Sequence, residues 1–160
     1  MPTAQDPAER GLLRLLYHDW RPTRLGRLVN RLTGWRSANR LAPPFLQTPE
    51  VRGRVSGKVR ATPVVIATVE SQRYLVSMLG ERSEWVRNVE ASGGMATLRH
   101  GSREPVRLVA LPVDQRAPIL REYVRVAESG RRHFPLAPGA SLDEFAAIAD
   151  RYPVFRIEPA

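Results

Sequence analysis

The sequence predicts an α+β fold, a small closed or half-closed antiparallel barrel with helices on its rim and a basic amphipathic helical segment ahead of it. Two patterns carry this. β-Branched-rich runs come in pairs joined by short turns, which makes hairpins and an antiparallel sheet, because parallel neighbours would need a crossover helix between each pair. Segments with helical apolar spacing fall between and after those hairpins, and a barrel with helices on its rim leaves few exposed edges. At 160 residues, 42% hydrophobic and 26% charged, the chain has the length of one domain and enough apolar residues for a core. Residues 1–50 read as a basic helical segment with a Pro-rich linker, and 51–160 as the barrel.

Taken in order, Leu12, Leu13, Leu15, Leu16 and Trp20 mark one amphipathic helix, and Leu25, Leu28, Val29 and Leu32 recur at helical spacing in a second that Pro22 is suited to open. Pro43, Pro44 and Pro49 punctuate an irregular linker. Residues 64–69 and 73–78 form a hairpin across 70–72, and Ser83 is placed to cap a helix that Gly93 and Gly94 end. Residues 95–99 and 104–111 make a second hairpin around 100–102. Pro118 fits the first turn of a helix with Ile119, Leu120, Tyr123, Val124 and Ala127 inward. Ser141 and Glu144 have capping-box spacing, Pro153 stops the helix they start, and 154–157 is a last strand.

Composition excludes several chemistries. Without cysteine there is no disulfide, thiolate metal site, Fe–S cluster or cysteine nucleophile. The three histidines, His18, His100 and His133, have no second ligand at a helical metal-binding spacing. No apolar run reaches the roughly 18–20 residues that span a bilayer. The first residues do not read as a secretory signal, so a cytoplasmic location is expected.

The net charge of +9 comes from 25 basic and 16 acidic residues, and 24 of the basic ones are arginine. Residues 1–60 hold 12 basic and 4 acidic side chains, which concentrates the charge in the first third. Arg24, Arg27 and Arg31 line one edge of the second helix. They form either a solvated face of a packed helix or the basic face of a helix lying on an anionic membrane, with Trp20 and Trp35 near the interface. A nucleic-acid footprint ranks last, since few aromatics interleave with the arginines and no recognition motif accompanies them.

Two segments can carry chemistry. Residues 53–63 bring two glycines, Ser56, Arg54, Lys58 and Arg60 to the front of a buried strand. This is either a polar turn or a loop whose N–H groups and guanidinium forks hold phosphate or carboxylate. It lacks the Gly-Lys-Ser/Thr ending of a P-loop. Residues 77–91 pass from a strand ending at Ser77 through Met78, Leu79 and Gly80 into a helix N-terminus, an anion seat by its dipole, with Trp85 and Asn88 on one helical face.

The patterns G-R-x-S-G-x-x-R-x-x-P at Gly53 to Pro63, the strand end at Ser77, and W-x-x-N-x-x-A at Trp85 to Ala91 stand in a set order. In that order and at those separations they resemble the deazaflavin-dependent nitroreductase and quinone reductase family. The likeness covers roughly residues 51–111 and extends to the last strand. It implies a split β-barrel that binds the deazaflavin coenzyme F-420, whose reduced ring passes a hydride to quinones, nitro compounds or related acceptors. By that resemblance Arg54, Ser56 and Arg60 hold the anionic tail of the cofactor, and Thr62 and Pro63 shape the strand beside its ring. Ser77, Met78, Leu79, Gly80, Trp85 and Asn88 complete the cleft. The family commonly carries lysine where this chain has Val55 and Met78.

Those departures keep FMN open as an alternative cofactor, and a non-catalytic module for a flavin-like ligand or heme as an alternative function. No catalytic side chain is assigned; Tyr74, Tyr123, Tyr152, His100 and His133 are candidate proton donors beside solvent, and packing is the commoner role for such residues. Arg131, Arg132 and His133 form a basic loop or a lid. The implied partners are a hydrophobic small-molecule acceptor, a second copy of the chain and, through the N-terminal helices, the inner face of the cell membrane.

Overall fold

A computed structural model describes residues 17–18, 21–22, 28–29, 31–32 and 43–160. A two-residue ladder joins β1 (Tyr17–His18) to β2 (Arg21–Pro22). The main sheet contains β3 (Leu46–Arg52), β4 (Val59–Ala61), β5 (Val64–Val69), β6 (Gln72–Val76), β7 (Met95–His100), β8 (Ser102–Ala110) and β9 (Val154–Pro159). Its order is β4-β3-β5-β6-β9-β8-β7, all neighbours antiparallel, and β3 also pairs with β7. Six strands therefore close into a barrel, with β4 as the extra one. Among residues 43–160 three α-helices accompany it, α1 (Glu84–Ala91), α2 (Ala117–Val126) and α3 (Leu142–Ala146).

The largest departure from the sequence reading is β3. Residues 43–50 read as an irregular linker, yet Leu46–Arg52 is the strand that closes the barrel, with Pro49 fully buried. Proline lacks the N–H that a doubly paired strand needs. The ladder beside it is broken at that point: β4 and β5 share one continuous register against β3, Arg52↔Val59 through Leu46↔Val65, interrupted at Thr62 and Pro63. Thr62 N–H still reaches the Pro49 carbonyl at 3.2 Å. Residues 53–63 are accordingly the turn and second strand of a hairpin rather than a free loop.

Both predicted hairpins form, with tighter turns. Glu70 and Ser71 alone connect β5 to β6, both at positive φ (49° and 66°) as a two-residue hairpin requires. Gly101 alone separates His100 from Ser102. The N-terminal reading fares differently. Tyr17–His18 and Arg21–Pro22 are extended and paired where a helix through Trp20 and a Pro22 helix start were expected. Leu28, Val29, Arg31 and Leu32 are helical as expected and exposed; the remaining residues of that segment lie outside the described ones.

Strand alternation makes two cores. Ile66, Leu75, Leu98, Val106, Phe155 and Ile157 point into the barrel and meet Val86 and Val89 of α1. Ala67, Val76 and Val154 point outward and are covered by Ile119, Leu120 and Val124 of α2 and Phe145 of α3. α2 carries Pro118 in its first turn, and α3 opens on the expected capping box, with Glu144 N–H donating to Ser141 Oγ and the Glu144 carboxylate accepting from Ser141 N–H. It ends at Ala146, short of the expected stop at Pro153, and a 3-10 turn at Ala149–Arg151 leads into β9. α1 ends on a Schellman arrangement, Gly94 N–H to Val89 O and Gly93 N–H to Glu90 O, with Gly93 at φ +65°.

α1 lies over one mouth of the barrel. At the far end Arg73 forms a two-pronged pair with Glu104, at 3.0 and 2.5 Å. The hydrogen bonds from Arg73 outweigh burial and hold the Glu104 carboxyl below its ordinary range. A depressed carboxyl contributes stability above its unfolded pKa of about 4 and loses it as pH falls through the lower folded value. Both side chains are substantially exposed, so Glu104→Gln is expected to cost about 1 kcal/mol or less in urea unfolding near neutrality, the difference vanishing in acid. Leu98→Ala, which opens a cavity inside the barrel, is expected to cost about 2–5 kcal/mol in the same measurement.

Candidate functional site

Antiparallel pairing brings three segments to the α1 mouth. β5 starts where β6 ends, so Thr62–Pro63 and residues 77–80 leave the sheet at the same end. The β3–β4 turn projects beyond them, and α1 follows directly after the 77–80 turn.

The turn at 53–58 is closed by Gly53 N–H to Lys58 O and Gly57 N–H to Gly53 O, both 2.8 Å. A side chain at Gly53 would meet Lys58 O at 3.0 Å and Ser56 Oγ at 3.1 Å, so glycine lets the turn fold on itself. Arg54 is tied to α1. Its backbone N–H and its Nη1 both donate to Asn88 Oδ1 at 3.1 Å, and Nη1 also donates to Glu84 Oε2 at 2.9 Å. Asn88 is only 5% exposed, and its amide oxygen fixes the hairpin against the helix. Glu84 and Asn88 are one helical turn apart and share a face. The sequence reading missed Glu84; its i, i+4 spacing to Asn88 opposite a basic hairpin was the available signal.

On the other side of the mouth, Ser77 is buried. Its N–H donates to Pro153 O and its hydroxyl to Gly80 O at 2.8 Å. Gly80 takes φ +74°, donates to Ser77 O and accepts from Ser83 N–H. The N–H groups of Gly80 and Ser83 thus fold the turn that was read as an anion seat. Ser83 stands at the helix N-cap as expected, but its hydroxyl makes no capping bond. Met78 packs against the outer core beside α2, while Trp85 packs against the barrel core with its ring 5.6 Å from that of Phe155. Leu79 is half-buried.

The donor set fits a group with an anionic tail. Between residues 51 and 63 there are four basic side chains, Arg52, Arg54, Lys58 and Arg60, and no acidic one. Arg60 shares the Val51 face of the hairpin, over Gly53, and is exposed. Ser56 is exposed at the turn. A deazaflavin tail of phosphate and carboxylates matches guanidinium forks in charge and geometry. Val55 and Met78, where the resemblance leads to an expectation of lysine, add no charge.

The candidate proton donors are placed for packing. Tyr123 is buried against α2's neighbours with its ring 5.5 Å from Phe134, and Phe134 stacks on Tyr152 at 4.1 Å. Tyr152 donates its hydroxyl to His133 O at 2.9 Å, and burial raises its pKa. Burial, then the charge of Arg132, pushes the His133 imidazole below its ordinary range. Tyr74 packs on the outer core, and His100 sits at the far turn. Arg131–His133 is a short 3-10 turn after α2.

A closed six-stranded antiparallel barrel with one added strand and rim helices defines a split-barrel protein. The sequence matches the family described as F-420H(2)-dependent quinone reductase over residues 28–133, well over half of the chain. The chain belongs to that family, an oxidoreductase class whose cofactor is coenzyme F-420. Among solved structures, a chain described as a domain-swapped dimer aligns at 14% identity, covering 84% of this chain and 96% of its own, with a TM-score of 0.53. An F-420-H2 dependent reductase aligns at 20% identity over 72% of this chain and 95% of its own, with a TM-score of 0.48. A heme binding protein from Mycobacterium smegmatis aligns at 12% identity over 78% and 48%, with a TM-score of 0.47. No curated protein matches the sequence.

Removing the Asn88 amide leaves two donors of Arg54 without their buried acceptor. Asn88→Ala is therefore expected to cost about 1–3 kcal/mol in thermal or urea unfolding, and to speed hydrogen exchange of the Arg54 amide. Gly80→Ala places a Cβ 3.0 Å from Arg151 O at a positive φ, so it is expected to destabilise by about 1–2 kcal/mol.

Proposed function

We propose that the protein transfers a hydride from reduced coenzyme F-420 to a hydrophobic acceptor, with quinones as the leading class and nitro compounds or similar acceptors next. The observation that carries this is the acid-free basic hairpin, held by Asn88 beside the α1 mouth, in a chain of the quinone reductase family. When bound, the reduced deazaflavin supplies the hydride. The chain supplies position. Arg60, Lys58 and Ser56 face the anionic tail, and Arg54 does so while anchoring the hairpin. Thr62, Pro63, Ser77, Leu79 and Gly80 shape the cleft beside the ring, Met78 supports it from the outer core, and Trp85 with Asn88 forms its helical wall. No side chain is assigned as proton donor; solvent serves.

A homodimer and a cytoplasmic location belong to this reading, the first prompted by the similar chain described as a domain-swapped dimer. The exposed Leu28, Val29 and Leu32 support membrane contact through the N-terminal helix. A second reading, a non-catalytic barrel for a flavin-like ligand or heme, is favoured by Val55 and Met78 standing in place of lysines.

The test is a titration of the purified chain with coenzyme F-420 and, in parallel, with FMN, followed by ring fluorescence. Micromolar or tighter F-420 binding, about −8 kcal/mol or better, together with reduction of an added quinone, is expected. Arg60→Ala is expected to weaken binding roughly tenfold or more, the loss of one charge-assisted bond. Tight binding without turnover of any quinone or nitroaromatic establishes the second reading, and binding of FMN alone removes the deazaflavin assignment.

A further inference from the structure

Beyond the mouth itself, the outer face of the sheet from β4 to β8 carries an unusual surface. Strand pairing sets Val59 opposite Arg52 and Met95 opposite Arg107. Arg52 follows Glu50 by two residues and Met95 precedes its partner Thr97 by two, so all four side chains fall in one row on one face. Val59 is 64% exposed and Met95 51%, and Val55 at the adjacent hairpin tip is 89% exposed. Arg52 and Arg107 are exposed and pair with no carboxylate of the described residues. The next rows add Arg99 and Arg103, which share Glu50 at 2.9 and 2.7 Å. Glu158 opposite Arg107 is held by Arg156.

We infer that this face docks on an anionic lipid bilayer, with Val55, Val59 and Met95 entering the interface and Arg52 and Arg107 meeting lipid phosphates. Protruding aliphatic side chains flanked by arginine are the features that bind such a surface. A second copy would bring the same arginines against one another in a two-fold contact. Single-stranded nucleic acid would call for aromatic stacking platforms, and this row has none. The row sits at the α1 end of the barrel, so docking brings the mouth to a membrane-dissolved acceptor. That use rests on the quinone reading; the docking itself rests first on Val59, Met95 and Arg107, which have no role at the candidate site, while Arg52 and Val55 belong to its hairpin.

The full-length chain is sedimented with phosphatidylcholine vesicles and with vesicles that also contain phosphatidylglycerol, at low and high salt. A water-soluble quinone with reduced F-420 is assayed separately. Salt-sensitive binding to the phosphatidylglycerol vesicles alone is expected, weakened about tenfold or more by Val59→Glu and by Met95→Glu. Reduction of the soluble quinone and the thermal midpoint are expected to be unchanged in Met95→Glu, which lies outside the basic hairpin. Should either variant unfold the chain, Arg52→Gln with Arg107→Gln reads the same face through charge and must weaken binding likewise. Docking is overturned by equal binding to both vesicle types, by no binding, or by binding that these substitutions leave intact. It is also overturned by a dimer or a salt-sensitive DNA complex that Met95→Glu disrupts while vesicle binding does not change. Vesicle binding without reduction of any quinone overturns the quinone reading and leaves the docking in place.

Discussion

Closure of the sheet through β3 is the constraint on which the rest of the molecule depends. This strand pairs with β4 and β5 along one edge and with β7 along the other, so the sheet has an inside and an outside. Once it closes, the two-residue period of each strand decides where every side chain goes. Ile66 and Leu75 fall into the barrel, and Ala67 and Val76 fall under α2. A slip of one residue would exchange those sets, and both faces of β5 and β6 are buried, so the register is strongly specified.

The same closure builds the site. Because the β3–β4 hairpin continues the register of the barrel wall, its basic turn is carried to the mouth where α1 lies. Val86 and Val89 hold α1 in the barrel core, and the helix then presents Asn88 and Glu84 to Arg54. An amide oxygen is suited to this task, since it accepts from a backbone N–H and a guanidinium at once without placing a buried negative charge beside an anion site. The positive charge of the hairpin is thereby held in position while most of it stays in water.

Much of the fold was legible in local pattern. The hairpins at 64–76 and 95–110, the Gly93–Gly94 helix stop, Pro118 in a first turn and the Ser141–Glu144 box all depend on neighbours within a few residues. Turn lengths were less legible, because Glu70 and Ser71 adopt positive φ without a glycine to announce it. The ordered motifs at 53–63, 77 and 85–91 marked residues that the tertiary structure gathers at one mouth. How each would act there was not readable, since Arg54 is engaged by Glu84, Met78 turns to the outer core, and the N–H groups of Gly80 and Ser83 are used within their own turn.

The sequence by itself determined the antiparallel hairpins, where the helices after residue 80 begin and the location of the charge, because capping, turn chemistry and period are local. Only the tertiary structure decided that Leu46–Arg52 is a strand. Its one proline, Pro49, argues against a strand locally, and it forms because both neighbouring edges need a partner and the ladder with β4 and β5 breaks opposite Pro49, where an N–H is missing. Nor could one dimension reveal that Asn88 grips Arg54 or that Val59, Arg52, Met95 and Arg107 share a row. Those neighbours are distant in the chain and become adjacent only when the barrel closes.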